Sequence, residues 1–296
     1  MQTAMSQGAA TAATRQRLAI LGLTAPAYLW LALTIFLPLS AMFYFSLLTV
    51  APFGGHQPSL TLDNYRTFFA KELYRSLAWQ ALVLGFHVTL GCVVIGYPAA
   101  LILAKLIRNR WREAVFLLII LPFWSNGLVR TFSWTMVLRS GGLLDRAIQL
   151  VFPAAPSLDL LYSYPAIVIG LIHSFVPYMI LTCYVSLQAI DDSLLEAARS
   201  LGAGWTTVFR RVVLPLSLPG LLAGIILIFV PAIGAFMEPR ILGGIKGITL
   251  GTVIEDQFVA VFNWPLGAAL SFIMLAIVLI ILALSYPLLR RHLKVG

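Results

Sequence analysis

The sequence predicts an all-α membrane protein with six transmembrane helices. The composition and the placement of charge carry that prediction. Of 296 residues, 60% are hydrophobic and 10% are charged, and the mean hydropathy is +0.93. Soluble domains are nearer half apolar and a quarter charged, so this chain lacks the charge to cover a water-facing surface. The formal charge of +9 would suit a nucleic-acid binder, but the charges lie between long uncharged runs rather than in one basic patch. Ordinary soluble enzymes and nucleic-acid binders are excluded. The apolar runs are continuous, so the short alternating segments of a β-barrel are excluded too.

A helix needs about 20 apolar residues to cross the hydrocarbon. Residues 18–48, 76–104, 160–190, 212–237 and 257–289 carry no Asp, Glu, Lys or Arg, and 114–138 carries only Arg130. These place spans near 20–47, 76–104, 114–138, 164–190, 213–238 and 266–289. The last starts late because Asn263-Trp264-Pro265-Leu266-Gly267 reads as a turn. With the N-terminus inside, twelve basic residues face the cytoplasm: Arg15, Arg17, Lys105, Arg108, Arg110, Arg112, Arg199, Arg210, Arg211, Arg290, Arg291 and Lys294. Seven face outward: Arg66, Lys71, Arg75, Arg139, Arg146, Arg240 and Lys246. The positive-inside rule therefore puts both termini in the cytoplasm.

Residues 1–14 are small and polar, which predicts a disordered cytoplasmic N-terminus. The first apolar run is too long for a signal-peptide core, so it reads as an uncleaved span. Residues 15–296 form one membrane domain, without a 20–50-residue repeat. Three outer segments are expected. One follows span 1 and holds Gly54-Gly55 and Leu62-Asp63-Asn64-Tyr65; a second carries an amphipathic helix beginning near Leu143; the third, from Pro239 to Pro265, is Gly-rich before a short helix. Cys92 and Cys183 fall inside spans and read as small apolar residues. His87 and His173 read as hydrogen-bonded membrane histidines, and Trp30, Trp79, Trp111, Trp134 and Trp264 as belt residues near span ends. Gly91, Gly96 and Pro98 interrupt span 2 and Pro177 interrupts span 4, where close helix packing and a cavity are both open readings. The five breakers Pro219, Gly220, Gly224, Pro231 and Gly234 of span 5 favour a cavity.

The cytoplasmic loop between spans 4 and 5 is more specific. Ser193 and Glu196 are spaced as a capping box, with Asp192 a rival N-cap. Leu194, Leu195, Ala198 and Leu201 form an apolar face, Gly202 stands where a helix end wants positive φ, and a second helix follows from Thr206 towards Pro215. A short capped helix at the cytoplasmic surface either docks on a partner or folds back on the bundle.

Glu196-Ala197-Ala198, then Gly202, then Val212, Leu214 and Pro215 resemble the EAA loop of ABC importer permeases, with Val212 in place of the usual Ile. Leu62-Asp63-Asn64-Tyr65, Gly96-Tyr97-Pro98-Ala99, Leu121-Pro122-Phe123-Trp124-Ser125-Asn126, Leu128-Val129-Arg130-Thr131 and Ile241-Leu242-Gly243-Gly244 are similar to spermidine/putrescine-type permease subunits. The resemblance covers about residues 60–270. It implies a type I ABC importer permease fold in a bacterial inner membrane, with the EAA loop as a cytoplasmic coupling helix between helices 4 and 5. It also implies a second permease subunit (by family habit a distinct homologue), two copies of a cytoplasmic ATPase and an extracytoplasmic solute-binding protein. No G-x-x-x-x-G-K-[ST] motif is present, so ATP and Mg are expected on the ATPase, with no cofactor and no catalysis in this chain.

Candidate pathway or gate residues are Trp124, Asn126, Arg130, Tyr178 and Glu238. Arg130 is the one charge well inside a span, a functional candidate by default; Glu238 would be its ion-pair partner or a carboxylate for a passing ammonium. Trp124 and Tyr178 suit cation–π contact with amines, or simple packing. Arg240 and Lys246 around the Ile241-Leu242-Gly243-Gly244 motif argue against a dication, while Asp63, Glu72, Asp145, Asp159, Glu255 and Asp256 bring the outer face near neutrality. Opines, aminophosphonates and other small polar solutes are thus alternatives to polyamines. An ion-coupled secondary transporter would want paired ionisable residues near the midplane, and only Arg130 and Glu238 are available. A membrane enzyme lacks its motifs: no H-E-x-x-H or G-x-S-x-G occurs.

Overall fold

The computed structural model describes residues 2–51, 57–107, 110–153 and 156–293, with side chains within 21–284. The Gly54-Gly55 turn and Arg108 lie outside the described residues, and the side chains of Arg15, Arg17, Arg290 and Arg291 lie outside the described side chains. Helix α1 (Gln2–Ser46) carries span 1. It also takes in residues 2–14, which composition predicts disordered; Ala4, Ala9, Ala10, Ala12 and Ala13 give that stretch helix propensity.

After α2 (Asp63–Ala70), span 2 is α3 (Glu72–Leu101) prolonged by a π turn, Ile102–Leu106. Span 4 is α7 (Tyr164–Gln188), and span 6 is α13 (Trp264–Leu293), whose first turn is held by Asn263 Oδ1 accepting from the Leu266 N–H. The amphipathic outer helix is α6 (Leu143–Val151). The buried Asp145 carboxylate ties that segment together, accepting from the N–H groups of Gly141 and Leu158 at 2.8 Å each.

Two predicted spans are corrected. Residues 114–138 are not one helix: α4 (Arg110–Ile120) and a 3₁₀ turn (Leu121–Trp124) meet α5 (Gly127–Leu138) at a bend of 98°. Pro122 cannot continue the ladder, Ser125 and Asn126 are extended, and the Asn126 side chain caps the new helix by accepting from Leu128 N–H at 2.8 Å. Among the described residues five helices are long and apolar enough to cross a membrane, and six if this bent pair counts as one span.

Span 5 ends early. It comprises α9 (Trp205–Val208), a π turn (Phe209–Val213) and α10 (Leu214–Ile233), and breaks after Gly234. Glu238 therefore lies on a separate helix, α11 (Met237–Gly243), followed by α12 (Leu250–Val259).

Helices α3, α7 and α10 form the centre. Leu84, Val88, Cys92, Leu171, Met179, Cys183 and Ile228 are buried among them. Both cysteines are free. Lipid supplies no hydrophobic drive between helices, so close approach through small residues holds such a bundle. Gly96 packs on Met179, Gly220 on Thr182 and Ser186, and Gly224 on Thr182 and Met179. Gly220 and Gly224 of span 5 thus serve packing rather than the expected cavity, while Gly234, at its end, borders a cleft. Tyr97 and Ser217 hydroxyls join spans 2 and 5 at 2.7 Å. Helix α1 is peripheral, lying against α13 with Phe43 and Phe272 edge to face. Its end is held by Asn64 Nδ2, which donates to the carbonyls of Ser46 and Leu48 at 3.0 and 2.8 Å, and by a Tyr65–Ser46 hydroxyl bond of 2.7 Å.

Candidate functional site

The EAA-loop residues form one continuous segment between spans 4 and 5. Its first element is α8 (Asp192–Ser200). The cap differs from the expected Ser193–Glu196 box: Asp191 is the N-cap, its Oδ1 accepting from Ser193 N–H at 2.9 Å. That bond, with the Lys105 charge nearby, holds the Asp191 carboxyl below the usual carboxylate range.

The C-terminal end is a Schellman turn. Gly202 has φ +82, its N–H donates to the Arg199 carbonyl at 2.9 Å, and the Ala203 N–H reaches the Ala198 carbonyl at 3.1 Å.

The expected apolar face of α8 divides. Leu195 is buried against the bundle and Ala198 is partly packed, whereas Leu194 (49%) and Leu201 (89%) are exposed. Glu196 and Ala197 share that outward side and are exposed. Arg199 stacks over Trp205, 5.8 Å from the ring centroid, across a cleft of about 350 Å³ that Lys105, Asp192 and Glu196 also line.

Val212, Leu214 and Pro215 stand at the joint with span 5. The π turn Phe209–Val213 ends as Leu214 N–H donates to the Phe209 carbonyl, and Pro215 enters the first turn of α10, where its missing N–H is tolerated. Helix therefore continues from Trp205 to Ile233.

Charge counting registers Lys105 only as one more inner cation. The fold gives it a defined position: Nζ donates to the Ile190 carbonyl and to Asp192 Oδ1, both at 2.7 Å, with its side chain 8% exposed. Only the close spacing of Asp191 and Asp192 to a span end hints at a need for such a cation.

Trp124, Asn126 and Arg130 come together at the break in span 3. Trp124 is 90% exposed, and Tyr178 meets the same turn through Phe123, ring centroids 4.7 Å apart. The expected Arg130–Glu238 ion pair is absent. Arg130 Nη1 donates to the Pro122 carbonyl at 3.2 Å and its buried Nε has no partner, while buried Glu238 accepts from Ser174 Oγ at 3.2 Å. The break after Gly234 puts Glu238 on α11, which packs against both α7 and α5, and its carboxylate is taken up by Ser174 of α7. His173 shares with Arg130 a cleft of about 360 Å³ and its Nδ1 is also unpartnered, against expectation; His87 is bonded to Tyr164 at 2.8 Å.

At the outer mouth Arg240 donates to Glu255 and Asp256 at 2.5 and 2.6 Å, joining α11 to α12. The Asp256 bond, with Glu255 beside it, raises the guanidinium further above its ordinary range. Two carboxylates thus enclose one cation.

These helices define a multi-span helical membrane protein. A bacterial ABC transporter involved in the import of the acidic polysaccharide alginate contains a chain of similar fold, with a TM-score of 0.72 at 15% identity, covering 94% of this chain and 96% of that one. That match bears out the type I importer fold expected from the resemblance. The family model described as "Binding-protein-dependent transport system inner membrane component" matches residues 96–294. The spermidine/putrescine transport system permease protein PotB of Escherichia coli (strain K12) is 36% identical over 257 residues, which is 87% of this chain and 92% of that protein. PotB of Haemophilus influenzae is 34% identical over 269 residues, 90% and 93%. The chain belongs to the binding-protein-dependent transport inner-membrane components, as a multi-pass ABC permease.

Proposed function

We propose that this chain is a transmembrane subunit of an ATP-driven importer of spermidine and putrescine. The observation that carries the reading is α8: a well-capped cytoplasmic helix presents Glu196, Ala197, Leu194 and Leu201 outward, with nothing in the described residues covering them. Exposed apolar side chains beside a carboxylate on a rigid, doubly capped helix suit insertion into a groove on a partner. The partner is a cytoplasmic ATPase, present in two copies, which holds ATP and Mg; this chain performs no catalysis. A second permease subunit, a distinct homologue, completes the pathway, and an extracytoplasmic binding protein delivers solute at the outer segments. Both termini are cytoplasmic.

Identity to PotB over most of both chains supports the polyamine. The outer mouth is compatible with it, because Glu255 and Asp256 outnumber Arg240 where they meet. Trp124 and Tyr178, exposed at the break in span 3, offer ring faces to ammonium groups. Loading, outward opening and return follow as alternating access, driven from the cytoplasmic side through α8. One observation favours a second reading: Arg130 lines an open cleft whose lining residues include no carboxylate, which suits an anionic or zwitterionic solute such as an aminophosphonate.

The test is uptake of labelled spermidine by cells carrying the whole operon against cells lacking this subunit, with unlabelled putrescine, an opine and an aminophosphonate as competitors. Subunit-dependent uptake blocked only by putrescine is expected. Absence of uptake in cells that assemble the complex contradicts the polyamine, and block by the phosphonate establishes the second reading.

A further inference from the structure

We infer that Lys105 is a positioning residue: it fastens the start of α8 to the cytoplasmic end of span 2, so that a displacement delivered to α8 reaches span 2 through this side chain. The inference rests on the reading of α8 as the element that meets the ATPase.

Chain continuity ties α8 to only two of the three central spans. Ile190 follows the end of span 4, and residues 201–204 lead from α8 into α9, the start of span 5. Span 2 has no such connection. Its cytoplasmic end is the π turn Ile102–Leu106, and Lys105 projects from that turn to the two residues flanking the Asp191 cap, the Ile190 carbonyl and the Asp192 carboxylate.

The side-chain environment separates this contact from an ordinary surface ion pair. Exposed pairs contribute little, because water competes for both charges. Here the lysine is 8% exposed while Asp192 is 72% exposed, and the second acceptor is the carbonyl of buried Ile190. An ammonium in that position needs both acceptors to offset its lost hydration. Apart from this clamp, α8 is seated on the bundle by buried Leu195 and partly packed Ala198. So narrow an apolar seat permits rocking; the seat and an ionic clamp together fix an orientation. Energetic coupling between distant sites requires a connected element with defined alternative positions, and the clamp supplies the connection that the chain trace omits.

The experiment uses the complete importer in proteoliposomes, with spin labels at Leu106→Cys and Ser200→Cys, both exposed positions outside the face assigned to the ATPase. Label separation is read with and without ATP and vanadate, and spermidine moved per ATP hydrolysed is read in the unlabelled complex. In the native background and in Lys105→Arg, the separation is expected to stay constant through the cycle. In Lys105→Met the separation changes on nucleotide trapping, and spermidine moved per ATP falls about fivefold or more, the lower range of measured allosteric couplings, while ATP hydrolysis persists. Asp192→Asn, which retains the Ile190 bond, gives a partial loss and serves if Lys105→Met fails to assemble. Constant separation and unchanged transport per ATP in the variant that assembles overturn the inference. The label measurement needs no solute, so it decides the matter even if the native complex carries no spermidine, a result that overturns the substrate reading alone.

Discussion

Gly202 and Asp191 set the two ends of α8 by different physics. Gly202 holds a left-handed backbone with open space around it, so a side chain there is opposed by conformation alone. Gly202→Ala should cost about 1–2 kcal/mol, read as faster hydrogen exchange of the α8 amides by roughly tenfold. Gly204→Ala, at φ −67 and also in open space, should leave exchange unchanged. Asp191 acts by charge. Its folded carboxyl titrates below its unfolded value, so its contribution is present above the ordinary carboxylate range and is lost as pH falls through the lowered folded value. Protection of the α8 amides, corrected for intrinsic exchange, should therefore collapse only below about pH 4, and Asp191→Asn should remove that acid step while keeping the cap. The left-handed position at Gly202 was legible in the sequence because Gly follows an apolar helical face. The cap was not: Asp191, Asp192 and Ser193 are all good N-caps, and only the backbone decides among them.

At the scale of elements, spans 2, 4 and 6 were legible from uncharged length alone, since nothing within them forces a change of direction. Spans 3 and 5 were not, because hydropathy averages over a break that backbone chemistry makes. In span 3, Pro122 with the Asn126 cap turns the chain by 98° inside an uninterrupted apolar run. In span 5, two of the breakers that seemed to mark a cavity, Gly220 and Gly224, prove to be contact surface, and composition cannot tell a glycine that lines a void from one that admits a neighbour. Gly220 lies against the Thr182 carbonyl and Ser186, so any added carbon meets backbone. Gly220→Val should force α7 and α10 apart at a cost of about 1–3 kcal/mol, seen as a lower melting temperature of the purified complex. Gly22→Ala, on peripheral α1 with nothing within 4 Å of its Cβ, should leave the melting temperature unchanged. The Arg130–Glu238 pair failed with the spans: the bend after Trp124 starts a new helix beneath Arg130, and the break after Gly234 moves Glu238 onto α11.

For the molecule as a whole, one short helix joins the three central spans at one end of the bundle, through the chain at spans 4 and 5 and through Lys105 at span 2. The outer side is organised separately, by the Arg240–Glu255–Asp256 cluster and by the packing of α2 and α12 on α13. An importer needs this division, because the force arrives on one face and the solute on the other. The most direct test is accumulation of labelled spermidine in proteoliposomes holding the complete complex and binding protein, with ATP supplied on the α8 side. The account predicts accumulation against a gradient that requires ATP and falls when Glu196 or Gly202 is replaced by a bulky residue, with assembly of the complex intact. Accumulation that persists without ATP and through both replacements would contradict it and return the chain to the ion-coupled carriers.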